Sequence, residues 1–172
     1  EKYRRTYFFK YFKTMMIDTA LIFAAGRGER LMPYTKTNPK PMLLIDNKPL
    51  IEHHLNRLSA CGIKRVVINL AYLGYKIKHY FGNGQSFGLH IEYLPEPPGG
   101  FETGGTLAYL VKTRRMPDDS TILCLNGDIH TDYQPNPQIE LLDSCNGHLI
   151  LIPEHAEKPP ANFGWSPDTH YI

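Results

Sequence analysis

The sequence predicts an α/β fold, with a Rossmann-like, mostly parallel sheet and helices on both faces. Two features of the 172-residue chain predict it. First, short apolar runs, one of them strongly β-branched, alternate with stretches in which apolar residues recur at helical spacing, as in βαβ units. Second, segments rich in glycine and proline follow some of these runs, and long ordered connections of this kind usually carry function. The length fits one ordinary domain.

The individual elements are predicted from the residues that begin and end helices and from the spacing of apolar residues. Pro49 is suited to open a helix and Gly62 to end it, with Ile51, Leu55 and Leu58 at helical spacing between them. The predicted strands cover residues 21–25, 66–68, 89–94, 121–125 and 148–152. The other predicted helices cover residues 73–81 and 106–113.

The charge distribution argues against nucleic acid as a partner. Residues 1–14 carry five Lys and Arg with a single acid, and the rest of the chain holds 14 basic and 16 acidic residues. A nucleic-acid-binding domain usually has a basic face, and no basic stripe follows residue 14. We therefore treat residues 1–15 as a tail and residues 16–172 as the domain. The tail is either non-native or disordered, the preferred interpretation, or suited to an anionic membrane surface.

Cysteine usage and hydropathy predict a cytoplasmic protein. Cys61, Cys124 and Cys145 are far apart and none belongs to a CxxC pair, so neither a disulfide framework nor a zinc site is indicated. The apolar run 20–25 is too short for a secretory signal, and no run approaches the ~18 apolar residues of a membrane-spanning helix. The eight histidines lack metal-ligand spacing and receive no role.

The strongest functional signal is a pair of segments, 21–31 and 37–43. Gly26 and Gly28 follow a predicted buried strand, where backbone N–H groups can approach phosphate oxygens without interference from a Cβ. Arg30 and Lys40 add positive charge. The pattern predicts a triphosphate cradle, to which Ala25 also belongs. It is not a dinucleotide fingerprint, because a leucine stands where the third glycine would be, and the chain contains no P-loop.

These two segments resemble the signature of sugar-1-phosphate nucleotidyltransferases, in which a strand and a Gly-x-Gly-x-Arg-Leu/Met loop precede a Pro-Lys-Pro. The resemblance implies that Arg30 and Lys40 are catalytic and that Glu29 lies in the nucleotide-binding loop. Segments 67–74, 80–84, 87–88 and 102–106 are similar to those of bacterial N-acetylmuramate-1-phosphate uridylyltransferases of peptidoglycan recycling. Mannose-1-phosphate guanylyltransferases share much of this pattern. The resemblance extends over residues 19–152.

The resemblance assigns further residues to the two substrates. In the family a Glu-Thr-Gly-Gly loop closes over base and sugar, which implies sugar binding by Glu102 and nucleotide binding by Gly104 and Gly105. Alternatively, the two glycines form only the first turn of a helix. Asn69, at the end of a predicted strand, either hydrogen-bonds the base or sugar or merely closes a turn.

Asn126-Gly127-Asp128 resembles the family segment that carries a metal-binding Asp. It lies at the carboxyl end of an apolar run, where open α/β sheets bind ligands, and a carboxylate there can hold Mg²⁺ against substrate phosphates. Asp128 is therefore the predicted metal ligand, with a capping or turn role as the alternative. Asn126 is assigned to the sugar.

The implied reaction transfers UMP from UTP to a sugar-1-phosphate, with N-acetylmuramate-1-phosphate favoured, and releases pyrophosphate. The alternatives are a mannose-1-phosphate guanylyltransferase and a truncated nucleotide-sugar-binding module without catalysis. The family carries a second metal-binding Asp near a Val-Asp-x-Gly-Thr segment, and nothing in residues 153–172 matches that segment. Where the family has Gly-Asp-Phe this chain has Ala161-Asn162-Phe163-Gly164, so an acid is missing there as well. We expect that the chain lacks the C-terminal part of the family domain and forms a homodimer through the uncovered apolar faces.

Overall fold

The computed structural model describes residues 12–116, 120–142 and Ile150. Its strands are β1 (Phe12–Met16), β2 (Thr19–Phe23), β3 (Leu44–Ile45), β4 (Lys48–Pro49), β5 (Arg65–Leu70), β6 (His90–Pro95), β7 (Ile122–Asn126) and β8 (Gln138–Leu142). Its α-helices are α1 (Leu50–Ala60), α2 (Gly74–Phe81) and α3 (Thr103–Lys112). The main sheet is parallel, in the order β6-β5-β2-β7.

Helices cover both faces of this main sheet, which confirms the predicted fold class. Alternate side chains of a strand point to opposite faces. On β2, Ala20 and Ile22 pack in the cluster that contains the apolar residues of α1 and α2, whereas Leu21 packs with Leu110 of α3. All four are fully buried. A strand buried on both sides is typical of a doubly wound sheet.

Helix α1 shows how the sequence sets this packing. It begins directly after Pro49, and the chain reverses at Gly62, where φ is +95°. Ile51, Leu55 and Leu58 recur at spacings of four and three residues, lie on one side of the helix and have no exposed surface. Burial of each such side chain contributes about 1.5–3 kcal/mol to folding, so this stripe fixes α1 on the sheet.

Helix α3 begins at Thr103, three residues earlier than predicted, and therefore includes Gly104 and Gly105. Glycine costs about 1 kcal/mol relative to alanine within a helix, so the sequence favoured a later start. Burial of Leu110 against Leu21 and Leu94 outweighs that cost. The strand predicted at 148–152 lies outside the described residues apart from Ile150.

A second, antiparallel sheet joins the two ends of the described chain. Strand β1 pairs with β8, with Phe12 opposite Leu142 and Met16 opposite Gln138. The N–H of Ile17 donates to the carbonyl of Pro137 at 2.7 Å, and Ile17 is buried. Residues 12–15 of the predicted tail therefore belong to a strand, which the sequence pattern did not indicate. The non-native origin of the tail stays a prediction.

A short hairpin, β3–β4, leads into α1. Its two-residue turn is Asp46-Asn47, and both residues have positive φ, +49° and +64°. Asn and Asp tolerate this region best after glycine, and the twist of such a turn matches that of the strands it joins. Across the described parts of the chain, no helix is long and apolar enough to cross a membrane.

Candidate active site

The candidate site lies at the edge of the main sheet where its parallel strands end. Phe23, the last residue of β2, lies opposite Asn69 of β5 and Asn126 of β7. The predicted site residues lie at these strand ends, in the loops that follow β2 and β7, and in the turn that opens α3. Open α/β sheets bind ligands at this edge. The strand order therefore brings together residues that are widely separated in sequence.

Gly28 joins the two motif segments. Its φ of +65° lies in the left-handed region that favours glycine. Its carbonyl accepts a hydrogen bond from the buried Thr35 hydroxyl at 2.9 Å. A Cβ at position 28 would lie 3.0 Å from Thr35 Cγ2 and 3.1 Å from Lys40 Cβ. The bare backbone at this position thus lets the glycine-rich loop (residues 24–31) lie directly against the Pro-Lys-Pro segment (residues 39–41).

The rest of the glycine-rich loop borders open space. Ala25 is buried, whereas Gly26, Glu29 and Arg30 are exposed. A Cβ at Gly26 would meet no atom within 4 Å. A phosphate can therefore approach the backbone at Gly26 closely. Arg30 lies in the short 3₁₀ helix Glu29–Leu31. Because the residue is exposed, its guanidinium is accessible to a ligand.

Lys40 and Asp128 are paired across the site. Lys40 Nζ donates to Asp128 Oδ2 at 2.6 Å, although the residues are 88 positions apart. The two side chains are 29% and 40% exposed, so both can be reached from solvent. A phosphate would compete with Asp128 for Lys40, and a cation would compete with Lys40 for Asp128. The predicted phosphate-binding cation and the predicted metal ligand therefore lie at one point.

Gly127 makes this placement of Asp128 possible. Its N–H donates to the carbonyl of Phe23 at 2.9 Å. A Cβ at position 127 would lie 2.9 Å from both Ile22 Cγ2 and the Phe23 carbonyl oxygen. Only a residue without a side chain can pass this close to the end of β2. Asn126, assigned to the sugar, is the last residue of β7 and is exposed at this edge.

Asn69 is buried, with 2% of its surface exposed, and its amide is used inside the protein. Its Oδ1 accepts from the Ala24 N–H at 2.6 Å. Its Nδ2 donates to Glu96 Oε1 at 2.9 Å and to Thr106 Oγ1 at 3.2 Å. Both N–H donors of the amide and one of the two acceptor positions of its oxygen are therefore used. Asn69 thus holds the backbone of Ala24 on the neighbouring strand rather than closing a local turn, and its binding of base or sugar stays a prediction.

The beginning of α3 presents its predicted residues to solvent. Glu102 is the N-cap, and its side chain makes no capping hydrogen bond. Gly104 and Gly105 lie in the first turn and are exposed. The first N–H groups of a helix have no partner within it, so they remain able to donate to a ligand. The glycines therefore form a helical turn, the alternative for them, in a position where their backbone can still bind a nucleotide.

Sequence reasoning missed Glu96, Thr106 and Tyr72. Glu96 directly follows β6 at the ligand-binding edge, and that position was the available signal. Tyr72 supports the glycine-rich loop: the Arg27 guanidinium lies 5.3 Å from the centre of its ring, and its hydroxyl donates to the Lys36 carbonyl at 3.0 Å. Nothing in the local sequence distinguishes Tyr72 from an ordinary surface aromatic residue.

Two adjacent histidines of α1 border the segment that carries Asp128. His53 Nε2 hydrogen-bonds the Ile45 carbonyl at 2.9 Å, and its ring meets that of His130 edge-on at 5.3 Å. His54 is 3% exposed. Its burial, with a smaller contribution from the charge of Arg57, lowers its pKa from 6.5 to about 4. His54 is therefore neutral at physiological pH, and these side chains act in packing.

The residues present are compatible with Mg²⁺. Mg²⁺ is usually held by one or two carboxylates together with substrate phosphates and water, rather than by a cage of protein ligands. Asp128 supplies one accessible carboxylate beside a loop with room for phosphate. Among the described residues no group of three or more His, Cys, Asp or Glu could hold a metal by itself. A Mg²⁺ ion held by Asp128 would therefore take its remaining ligands from substrate phosphates and water.

Known proteins match this chain over most of its length. Residues 19–166 match the family described as nucleotidyl transferase. The chain belongs to the nucleotidyl transferase family. The predicted resemblance is confirmed, and with it the prediction that the chain is of an enzyme family. The glycine-rich loop, segment 102–106 and Asn126-Gly127-Asp128, which carried much of the resemblance, lie at the edge of the sheet described above.

The curated relatives of this nucleotidyl transferase are longer than it is. N-acetylmuramate alpha-1-phosphate uridylyltransferase of Neisseria meningitidis is 39% identical over 154 residues, which cover 87% of this chain and 65% of the relative. Mannose-1-phosphate guanylyltransferase of Mycobacterium tuberculosis is 37% identical over 118 residues, covering 67% of this chain and 31% of the relative. The chain thus spans less than two thirds of either relative.

Solved structures share the fold. A UDP-glucose pyrophosphorylase in complex with UDP-glucose superposes with a TM-score of 0.56 at 23% identity, covering 69% of this chain and 49% of the other. A glucose-1-phosphate thymidylyltransferase from Bacillus anthracis, described as putative, superposes with a TM-score of 0.57 at 24% identity, covering 69% and 48%. Both likenesses establish the nucleotide-sugar transferase fold.

Proposed function

We propose that this nucleotidyl transferase joins the nucleoside monophosphate part of a nucleoside triphosphate to a sugar-1-phosphate and releases pyrophosphate. The observation that carries the proposal is the meeting of Lys40 and Asp128 beside the glycine-rich loop. UTP and N-acetylmuramate-1-phosphate are the favoured substrates, because the relative that matches 87% of the chain is named for that reaction.

The reaction is a single displacement at the α-phosphorus. An oxygen of the sugar phosphate forms a bond to that phosphorus, the bond from the α-phosphorus to the bridging β-phosphate oxygen breaks, and pyrophosphate leaves with the electron pair. No protein nucleophile is required. The protein's task is therefore to align two anionic substrates and to neutralise their charge.

The residues of the site divide this task. The backbone at Gly26 and Gly28 and the exposed Arg30 hold the triphosphate, and Lys40 binds phosphate oxygens near the reacting phosphorus. Asp128 would hold Mg²⁺, which supplies further charge neutralisation when it is bound. The exposed turn at Gly104 and Gly105 offers backbone N–H groups to the base and sugar. Glu102 and Asn126 lie at the same edge, available to the sugar hydroxyl groups.

Binding must separate Lys40 from Asp128. The 2.6 Å pair neutralises both charges while no substrate is present. Lys40 would pair with an incoming phosphate, and Asp128 would then be able to hold the cation that accompanies the nucleotide. The pair is partly exposed, so its own contribution to stability is small and its exchange for substrate contacts costs little.

A second substrate pair is GTP with mannose-1-phosphate. The relative from Mycobacterium tuberculosis supports it, since it is 37% identical and named for guanylyl transfer to mannose-1-phosphate. We also propose a cytoplasmic location and a homodimer.

The test measures pyrophosphate release by the purified chain with Mg²⁺. UTP and GTP are each paired with N-acetylmuramate-1-phosphate, N-acetylglucosamine-1-phosphate and mannose-1-phosphate. Turnover with UTP and N-acetylmuramate-1-phosphate is expected, and Asp128→Asn should reduce it by about 10²–10³-fold. Asp46→Asn is the matched control, because it removes the same charge from an exposed hairpin turn that tolerates Asn.

Silence with all six pairs would overturn the proposed reaction. If UTP or GTP nevertheless raised the melting temperature of the chain, the chain would be a nucleotide-binding module without catalysis. Equal turnover of Asp128→Asn and Asp46→Asn would remove Asp128 from the reaction.

A further inference from the structure

We propose that the buried Asn69 and Thr106 and the half-buried Glu96 form a polar bridge that fixes the distance between the glycine-rich loop and the first turn of α3. Asn69 and Glu96 act as positioning residues, through the backbone they hold. The inference rests on the proposed function for its catalytic consequence, since both connected segments are assigned to nucleotide binding. Its structural content, the coupling of two loops, is independent of which substrate binds.

The bridge begins at the glycine-rich loop. The Ala24 N–H donates to Asn69 Oδ1 at 2.6 Å, two residues before Gly26. Asn69 is 2% exposed and lies in β5. Ala24 directly follows β2, the neighbouring strand. A buried backbone N–H without a partner is destabilising, because it has given up its hydrogen bond to water. Asn69 therefore determines where the chain leaves β2.

The centre of the bridge is the Glu96 carboxylate. Its Oε1 accepts from Asn69 Nδ2 at 2.9 Å and from the Thr106 hydroxyl at 2.6 Å. Its Oε2 accepts from the Phe101 N–H at 2.8 Å. All three partners donate, and an ionised carboxylate only accepts. A carboxylate thus satisfies every donor, whereas an amide at this position cannot.

The far end of the bridge is the first part of α3. Thr106 is completely buried in the helix, and Phe101 directly precedes the N-cap residue. Glu96 therefore holds one side chain inside the helix and the backbone at its entrance. Gly104 and Gly105 lie between these two points, so their N–H groups are fixed in relation to Glu96.

A close backbone approach completes the connection. Gly100 has φ of +70°, and a Cβ there would lie 3.3 Å from Glu96 Oε2 and 3.5 Å from Ala25 Cβ. The loop before α3 thus passes between Glu96 and the glycine-rich loop. Hydrogen bonds and packing together set a single spacing between the two walls of the proposed nucleotide site.

The geometry of the bridge provides a sharp experiment. In Glu96→Gln the amide would face either the Phe101 N–H or the Asn69 NH₂ group, so two donors meet in either orientation. Turning Asn69 over only transfers the conflict to the Ala24 N–H. In Asn69→Asp the two carboxylates face each other and repel. Each single variant therefore breaks the bridge.

The double variant Asn69→Asp with Glu96→Gln reverses the central bond. The new carboxylate at position 69 would accept from the Ala24 N–H, from the Thr106 hydroxyl and from the new amide at position 96. The carbonyl oxygen of that amide would still accept from the Phe101 N–H. Every donor again has an acceptor, with no change in the number of heavy atoms that fill the site.

Glu52→Gln is the control for these variants. It makes the same change from carboxylate to amide as Glu96→Gln. The Glu52 carboxylate accepts from the Tyr80 hydroxyl at 3.1 Å, in a contact between α1 and α2 that includes no member of the bridge. Its replacement should therefore leave the bridge intact.

The primary readout is amide exchange at Ala24 and Phe101, followed by NMR without nucleotide. We expect Glu96→Gln to raise exchange at both amides, the double variant to return both toward wild type, and Glu52→Gln to change neither. A response at Phe101 alone, or a double variant no better than Glu96→Gln, would overturn the coupling.

The second readout is the KM for the nucleoside triphosphate of whichever pair turns over. Glu96→Gln should raise it about tenfold, the equivalent of one lost hydrogen bond, and the double variant should restore it. If exchange at the Ala24 and Phe101 amides changes together but no substrate pair is turned over, the bridge is supported and the proposed reaction is refuted. Normal turnover with uncoupled exchange would refute the bridge alone.

Discussion

Lys40 Nζ lies 2.6 Å from Asp128 Oδ2, and this pair joins two segments separated by 88 residues. Both side chains remain partly exposed. In the proposed reaction Lys40 would bind a substrate phosphate and Asp128 would hold the metal ion. Competition between Lys40 and a metal ion for Asp128 has measurable consequences.

Replacement of Lys40 by methionine should separate turnover from metal affinity. Loss of a cation that binds phosphate near the reacting centre should reduce turnover by about 10²–10³-fold. Asp128 is then no longer neutralised, so the Mg²⁺ concentration for half-maximal activity should fall. Direct Mn²⁺ titration measures the same change where residual turnover is too slow.

Lys48→Met is the control for that experiment. Lys48 is 54% exposed and lies 4.0 Å from Glu52 on α1, outside the site. Its loss should alter neither turnover nor metal affinity. An unchanged or weaker metal affinity in Lys40→Met would show that Lys40 does not compete for Asp128.

Sequence patterning predicted the sheet well because burial leaves a local signature. Strands such as β5, buried on both faces, appear as continuous runs of Val and Ile, and α1 shows its stripe directly. The motif also singled out Gly26, Gly28 and Lys40, and their binding of nucleotide stays a prediction. Their contact through Gly28 then followed from the fold.

The polar bridge could not be predicted in the same way. Asn69 meets Glu96 and Thr106 at separations of 27 and 37 residues, and no periodicity reports such a meeting. Two roles for Asn69 were therefore left open, and the structure gives a third. The β1–β8 pair was missed for the same reason, because its strands come from opposite ends of the described chain.

Gly127→Ala should destabilise the fold beside Asp128, the predicted metal ligand. The new Cβ would lie 2.9 Å from Ile22 Cγ2 and from the Phe23 carbonyl oxygen, and the latter is backbone that cannot rotate away. Relief requires a backbone shift that costs about 1–3 kcal/mol and displaces Asp128. Urea unfolding monitored by circular dichroism measures the cost. A free energy of unfolding equal to that of wild type would show that the strand ends relax freely.

Gly26→Ala tests the opposite situation. Its Cβ would meet no protein atom within 4 Å, so the free energy of unfolding should stay within about 0.5 kcal/mol of wild type. The methyl group would enter the space through which a phosphate approaches the backbone, and the KM for UTP should rise about tenfold. Unchanged KM would place the triphosphate elsewhere. The two alanine variants serve as controls for each other. Gly127→Ala should lower the free energy of unfolding, whereas Gly26→Ala should raise the KM for UTP and leave the free energy of unfolding unchanged.

His54 should make the fold sensitive to acid. Arg57 donates to Nδ1 at 3.4 Å, so the neutral ring carries its proton on Nε2, which has no hydrogen-bond partner among the described residues. Burial, followed by the charge of Arg57, lowers the pKa from 6.5 to about 4, and the backbone of Ile129 opposes this in part. The folded state therefore resists protonation of His54, whereas the unfolded state accepts it readily.

The sign of the effect follows from that difference. Above pH 6.5 the His54 ring is neutral in both the folded and the unfolded state, so the free energy of unfolding has its full value. As pH falls from about 6.5 to about 4 the unfolded state binds the extra proton, so stability decreases by up to about 3 kcal/mol. His54→Leu removes this titration, and its free energy of unfolding should fall less steeply over the same interval in urea titrations at several pH values. His79→Leu, at an exposed position of α2, should keep the wild-type slope. Parallel slopes for His54→Leu and wild type would mean that other groups cause the acid sensitivity.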